Sequence, residues 1–458
     1  MESNQTIPKG EGIINNNAFS GCMDLESVVI SEGVEVIGKH AFWDCRNLCK
    51  VILPDSLKEI GDYAFERCYV MESISIPKSV INLDGSIFPG SSDLSRSALR
   101  AIQADDDNLN YASVDGVLYS KDLKKLIAYP AGKEDTTFFV PETVETIGRR
   151  AFSGCFNLKE VVLGDKCSMI EEEAFEYCKY LEKINLFKVR TIQRCAFQYC
   201  ESLKMVELDG LNIIESSCFH GCTRLSEIHF GKVETVKDRA FIDCKALAKV
   251  EIPDTLSTIE DCAFNGSSIQ NMTIPKTIQS VGMCSFGGVK CISFYDNLQG
   301  NRLKVGKPFG TSDAMAFDVT VLDSIDDTVK YIAPFYCDGS WQMKDMLNKA
   351  LKEDNSFDFS QFDSYFSMIK DKNMKPKVAV FRLLHPYDLS EYCKRNYEEF
   401  LKNNAPTSIK LCIESKDVES FKVLFSIGLI NSRNINKYKK IAKEKGAKDI
   451  SEFLDEVN

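Results

Sequence analysis

The chain has 458 residues, of which 44% are hydrophobic and 27% charged, and its formal net charge is −11. That length gives room for two or three domains of roughly 100–200 residues each, and 10% aromatics exclude disorder as the main state. An acidic balance argues against a nucleic-acid partner, because such binding needs a basic surface that displaces phosphate counterions.

No apolar run approaches the roughly 18 residues of a membrane-spanning helix, so no transmembrane segment is expected. The opening Met1-Glu2-Ser3-Asn4-Gln5-Thr6 has neither the basic nor the apolar region of a secretory signal. The expectation is a cytoplasmic protein. A cell-surface location is the alternative if the N-terminus is processed or export is unconventional.

One unit repeats along the first two thirds of the chain. Ala18-Phe19…Cys22 recurs as Ala41-Phe42…Cys45 and Ala64-Phe65…Cys68. It returns at Phe152, Phe175, Phe197, Phe219 and Phe241, with degenerate copies at Phe264 and Phe286. Successive phenylalanines stand 22 or 23 positions apart within each run, and Phe88 keeps that register with changed neighbours. Each cysteine is followed by a strand-like Leu-x-x-Val-x-Ile-Pro, as in Leu48…Pro54 and Leu247…Pro253. A hydrophobic pair with a turn glycine comes next, as in Val34…Gly38.

This period fits a solenoid, whose repeats of about 20–29 residues stack into one continuous core. Coils about 4.8 Å apart would stack equivalent phenylalanines into an aromatic spine. The small alanine before each ring lets the backbone turn inward. Between Phe88 and Phe152 the period is interrupted. There, Val114…Tyr119 and Lys125…Pro130 flank Lys121-Asp122-Leu123-Lys124 and read as a β-hairpin.

The unit Val-x-x-Ile-Gly-x-x-Ala-Phe-x-x-Cys-x-x-Leu-x-x-Val-x-Ile-Pro resembles the BspA-type leucine-rich repeats of bacteria and parasitic protists. The resemblance covers roughly 13–295 and implies a right-handed β-solenoid with an inserted hairpin island at about 95–141. It also implies the function of a surface adhesin binding host matrix or other cells.

The solenoid is expected over 1–300 and a connecting segment over 301–340, with Val319…Leu322 as a last strand. A helical module is expected over 341–458. Met343, Met346, Leu347, Ala350 and Leu351 share one helical face, as do Phe359, Phe362, Tyr365, Phe366 and Ile369. Pro376 and Pro386 punctuate helices, and Asp388 is placed as the cap of a helix through Phe400. Ser408…Ile413 pairs with Val418…Phe425, and Ile435…Ala442 with Asp449…Leu454. From about 390 this is similar to ankyrin repeats, without their Thr-Pro-Leu-His opening. The fold class is α+β by module.

Eighteen cysteines against four histidines invite a chemical reading. Eight of them (Cys22, Cys45, Cys68, Cys155, Cys178, Cys200, Cys222 and Cys244) fall in one column, which makes them small buried hydrophobes of the coil interior. The sequence contains no Cys-x-x-Cys, so zinc is not expected. Disulfides between successive coils would need an oxidising compartment. His220 stands between Cys218 and Cys222 by periodicity alone, and Glu171-Glu172-Glu173 reads as a solvated turn. No catalytic residue, cofactor or metal is expected.

Solenoids present extended surfaces. The outward positions of the strands run Glu160, Lys183, Met205, Glu227, Lys249 in one column and Val162, Asn185, Glu207, His229, Glu251 in the next. The candidate partner-binding face is Lys183, Asn185, Met205, Glu207, Glu227, His229, Lys249 and Glu251. Cross-strand pairing of Glu160 with Lys183 and of Glu227 with Lys249 is expected, and no exposed aromatic stripe is evident. The basic cluster Arg433, Lys437, Lys439, Lys440, Lys443, Lys445 and Lys448 reads as a solvated helix face beside Asp449…Glu456.

The leading functional expectation is a non-enzymatic scaffold for protein partners, with self-association also open. The adhesin is the alternative, and an enzyme with a site around 296–340 or in the helical module is the third reading.

Overall fold

The computed structural model describes residues 3–7, 12–88, 96–275, 277–282, 285, 291–295, 304–305, 315–322, 329–337, 358–369, 372–386 and 389–457. The chain divides into two compact units, Met1–Ile269 and Gln270–Asn458.

The N-terminal region is a β-solenoid of about 12 turns. Each Leu-x-x-Val-x-Ile segment supplies a short strand in parallel register with the next, as Ser27↔Lys50 and Val28↔Val51 show. The Val and Ile side chains point inward (Val28, Val51, Ile74 and Val206 are buried) while their neighbours face solvent. The hydrophobic pair before the turn glycine forms a second ladder, which the motif does not announce: Val36–Ile37 pairs with Glu59–Ile60, and Met169–Ile170 with Thr191–Ile192. Every regular coil therefore presents two strands of only two to four residues.

The aromatic spine is present in two runs. Phe19, Phe42 and Phe65 stack at 5.1 and 5.4 Å between ring centroids. Tyr129, Phe152, Phe175, Phe197, Phe219, Phe241 and Phe264 stack at 4.8–5.4 Å. Tyr129, which the phenylalanine period does not flag, takes the ring position through Ala128-Tyr129, a variant of Ala-Phe. Phe88 keeps the backbone register, since Phe65 N–H donates to the Ile87 carbonyl at 3.0 Å as Phe42 N–H does to Ala64 at 2.9 Å. Phe286 lies outside the described residues.

The turn carrying each ring has two left-handed positions. One precedes the alanine (His40 at φ 55°, Arg150 at 54°, Glu173 at 58°) and the other precedes the cysteine (Asp44 at 60°, Tyr177 at 58°). L-residues adopt this conformation at a cost of roughly 1–2 kcal/mol. Here it aims N–H groups at the next coil: Asp44 N–H reaches the Glu66 carbonyl at 2.9 Å, and Tyr177 N–H reaches Gln198 at 2.8 Å. The turns thus form a third hydrogen-bonded ladder, which offsets the strain.

The island contains the expected hairpin, Val117–Ser120 against Lys125–Ala128, and one strand more. Tyr111–Val114 pairs antiparallel with Val117–Ser120 through Asp115 (φ 49°) and Gly116 (φ 77°), the pair of positive φ values that a two-residue hairpin turn requires. Lys125–Leu126 then pairs in parallel with Thr146–Ile147, which merges the island into the second ladder. Buried Asn108 ties its base down, donating to the Pro77 and Val80 carbonyls and accepting from Tyr111 N–H.

In the second unit Asn271–Thr273 pairs with Cys291–Tyr295, which pairs with Met315–Leu322. The expected strand at Val319…Leu322 is thus part of a longer one, and Val329–Cys337 joins it in antiparallel pairing. Seven helices follow among the described residues: α1 Phe359–Ser364, α2 Met374–Leu384, α3 Glu391–Asn403, α4 Ala405–Ser415, α5 Val418–Ser426, α6 Ile435–Glu444 and α7 Lys448–Glu456. Pro376 sits in the first turn of α2, where its missing N–H costs nothing. Helix α3 is capped by Ser390, whose hydroxyl accepts from Cys393 N–H. The Asp388 cap and the face built on Met343–Leu351 lie outside the described residues. The pairs α4–α5 and α6–α7 start 30 positions apart (Ala405 to Ile435, Val418 to Lys448).

One polar node holds the first three helices. Arg382 is buried on α2 and donates to Asp363 of α1 through Nε at 2.8 Å and Nη2 at 3.0 Å. Its Nη1 reaches the His385 carbonyl, and Tyr397 of α3 donates its hydroxyl to the same aspartate at 2.5 Å. Burial, followed by the Asp363 carboxylate, raises the Tyr397 phenol and keeps it protonated.

Candidate partner-binding surface

Strand alternation leaves seven of the eight candidate face residues exposed: Lys183, Met205, Glu207, Glu227, His229, Lys249 and Glu251. Asn185 is half-buried and engaged with its own fold, since its amide accepts from Leu163 N–H at 2.7 Å and donates to the Leu163 carbonyl at 2.9 Å. The ion pairs differ from expectation. Glu160 and Lys183 are in register across two strands, yet the pairs that form join residues two apart in sequence: His229 Nε2 with Glu227 at 2.9 Å, and Lys249 with Glu251 at 2.6 Å. At i,i+2 the two side chains share one face, and both pairs are solvated. The face is also not one sheet. Thr137–Phe139, Glu160–Val162 and Lys183–Ile184 form one ladder, Met205–Glu207 and Glu227–His229 another, and 249–251 lies outside the described strands.

A concavity lies elsewhere on the same kind of surface. An open groove of about 840 Å³ runs over the strands Lys50–Ile52, Ser73–Ile76 and Ala101–Ala104. Its floor includes the small Ser73 and Ser75, and its wall carries Lys50, Ile52, Val70 and Gln103. Ile52 and Val70 are each 43% exposed. The signal was available, because two serines at successive outward positions leave a depression between bulkier neighbours. Phe139, 70% exposed and in register with Val162, also gives this surface an aromatic that the columns beginning at Glu160 overlook.

The cysteine column is interior, and it does more than fill space. The thiol of Cys45 donates to the Phe19 carbonyl at 3.0 Å, Cys178 to Phe152 at 2.9 Å, Cys200 to Phe175 at 3.1 Å and Cys222 to Phe197 at 3.2 Å. A thiol is a weak donor that fits an apolar site, which explains why cysteine rather than alanine recurs. Burial pushes Cys45 up to about 11 and raises Cys68 and Cys244 well above the ordinary thiol range. Fifteen of the cysteines, the whole Cys22–Cys244 column among them, are free thiols. Among the described residues no group of three or more His, Cys, Asp or Glu could hold a metal ion. His220 is bonded to the Gln198 amide, and burial lowers its basicity.

The acidic triplet is not a simple solvated turn. Glu171 accepts two bonds from Lys125 (2.7 and 2.8 Å), Glu172 pairs with Arg194, and Glu173 joins a buried cluster on Arg150.

The chain matches the sequence model of the BspA type leucine rich repeat region in six copies, over residues 5–111, 131–248 and 212–302. It belongs to the BspA-type leucine-rich repeat family. Solved structures similar to it include a leucine-rich repeat protein from Eubacterium ventriosum, 26% identical, with a TM-score of 0.47 over 58% of this chain and 83% of that one. The pneumococcal vaccine antigen PcpA is 24% identical, with a TM-score of 0.40 over 64% and 68%. A leucine rich cell surface protein from Faecalibacterium prausnitzii is 22% identical, with a TM-score of 0.34 over 66% and 80%. Comparison with curated proteins gives no significant match.

Beyond the BspA-type repeats, the helical module carries two small grooves. One of about 230 Å³ lies between α2, α4 and α5 at Val380, Leu411 and Cys412, and one of about 240 Å³ lies between α4 and α6 at Ile413, Tyr438 and Ile441. The basic cluster beside the second is largely compensated: Lys439 pairs with Asp455, Lys440 with Glu444, Lys445 with Glu414 and Lys448 with Glu452. No described helix is long and apolar enough to cross a membrane.

Proposed function

We propose that this BspA-type repeat protein is a non-enzymatic interaction scaffold that receives a protein partner on the sheet face of its solenoid. The observation that carries the reading is the open groove over Lys50–Ile52 and Ser73–Ile76. It combines a polar floor with exposed Ile52 and Val70, a mixture suited to a protein surface rather than to an enclosed small molecule. The face around Lys183, Met205, Glu227 and His229 extends the same kind of surface.

The test fills the groove. A Ser73→Arg/Ser75→Arg double variant, with unchanged melting, should lose the partners that the unaltered chain retains in crosslinking pull-downs. Retention of every partner by the filled variant would move binding off this face. The scaffold reading goes with a cytoplasmic protein, and the adhesin alternative uses the same face on an exported one. Cell fractionation separates them.

A further inference from the structure

The hairpin island splits the spine, and the edges on either side of it are joined by charge. Arg150, on the turn after the island, is buried and donates through Nη2 to Glu66, on a turn before it, at 2.9 Å. Its Nη1 bonds Glu173 at 3.2 Å and Glu176 at 3.0 Å, both from the following coil. Three carboxylates thus share one buried guanidinium, whose plane also lies 5.2 Å from the Tyr63 ring.

The surrounding cations are shared with other carboxylates. Arg149 is committed to the Tyr63 hydroxyl (2.9 Å), Asp84 (3.3 Å) and Asp62 (3.9 Å). Arg67 lies 4.0 Å from Asp44 and also acts on Glu66, Arg194 is held by Glu172 and stands 4.0 Å from Glu173, and Lys125 is held by Glu171. His40 stacks on Tyr63 at 5.2 Å, and Tyr177 and Cys195 complete the wall, both raised by burial. Buried like charges cannot all ionise without cost, so a proton resides on the cluster until the pH is high enough to remove it. With three carboxylates on one guanidinium, full ionisation sets a repulsion across the turn edges that flank the island.

We propose that the Glu66–Arg150–Glu173–Glu176 cluster is a pH-sensitive latch that closes the solenoid across its island, held while one carboxyl is protonated and loosened when all three ionise. The position of the cluster makes it a latch rather than general packing, because Glu66 and Arg150 are 84 positions apart and belong to the coils that the insertion separates.

Burial raises Glu66 and pushes Glu176 up to about 7 from its ordinary 4.5. The folded state therefore binds more protons than the unfolded state between about pH 4.5 and 7, and stability falls as the pH rises through that window.

Hydrogen exchange of the full chain, corrected for intrinsic rates, tests the latch. Between pH 5.5 and 8, segments 61–68 and 146–154 should lose protection about tenfold more than segment 211–236. Glu176→Gln, which keeps the shape and removes the ionisation, should abolish that difference while leaving the thermal melt intact at pH 5.5. Should that variant fail to fold, Glu66→Gln takes its place with the same expected result. Equal loss of protection in all segments, or an unchanged local difference in the folded variant, would overturn the latch.

Discussion

The solenoid and the helical module are stabilised by opposite strategies. In the solenoid the regular coils repeat the same small set of interactions: a stacked ring, a thiol on a carbonyl, two short ladders and a hydrogen-bonded turn. Neighbour-to-neighbour contacts of this kind spread stability along the chain. In the helical module one buried node, Asp363–Arg382–Tyr397, joins three helices and occurs once. Redundancy in the first region makes any single coil less critical. The second region concentrates its risk at a single charge.

The difference is broken most severely at the node. Asp363→Ala removes both carboxylate bonds from the buried Arg382 guanidinium, and should cost about 3–5 kcal/mol in denaturant melts. Replacing both partners with apolar residues should cost much less, since no charge is then stranded. In the solenoid the corresponding deletion is Phe197→Ala. Its ring is buried between Phe175 at 5.1 Å and Phe219 at 5.4 Å, so the cavity should cost about 3–5 kcal/mol. Hydrogen exchange should show that loss centred on adjacent coils, while loss at the node should be shared by α1, α2 and α3. Uniform loss in both cases would remove the distinction.

The two regions also differed in how far they could be read from residues alone. Periodicity in Phe, Cys and Leu-x-x-Val-x-Ile places the coils, the spine and the interior cysteines, because each copy reports the same environment. The second ladder is hidden, since two residues such as Val36–Ile37 are too few to show alternation. The extra island strand is legible in Asp115-Gly116, a dipeptide suited to a two-residue hairpin turn. The Arg150 cluster is non-local, and nothing near Arg150 marks Glu66 as its partner. The helical node left a local trace, a lone Asp363 and a lone Arg382 inside apolar runs, but a single occurrence offers no period to confirm it. For the candidate face, alternation identifies which side chains point outward. Which strands form a ladder, and where small residues open a groove, follows only from the coils as they stack.

A finer break in the solenoid separates the two roles of its cysteines. If Cys222 only fills space, Cys222→Ala and Cys222→Ser should both cost a small cavity. If its thiol matters as a donor to the Phe197 carbonyl, which Cys200 N–H also reaches, alanine removes one of that oxygen's two bonds and should cost about 0.5–1.5 kcal/mol beyond the cavity. Serine keeps a donor and should recover part of that in the same melts. Equal destabilisation by the two would reduce the column to packing.

The smallest effect should come from the face itself. His229 and Glu227 form a pair with both side chains more than half exposed, and such pairs contribute roughly 0–1 kcal/mol. Glu227→Gln should shift the melting midpoint of the full chain by about a degree or less. The same holds for Glu251→Gln beside Lys249, whose side chains are about 80% exposed. A binding face needs this tolerance. Residues that the fold does not need are free to vary with a partner, whereas Asn185, hydrogen-bonded to Leu163 on both edges of its amide, is not. Asn185→Ala should therefore destabilise more than either glutamate substitution. If the three cost the same, the surface would be part of the architecture, and the partner would have to be sought at the groove over Ser73 and Ser75 alone.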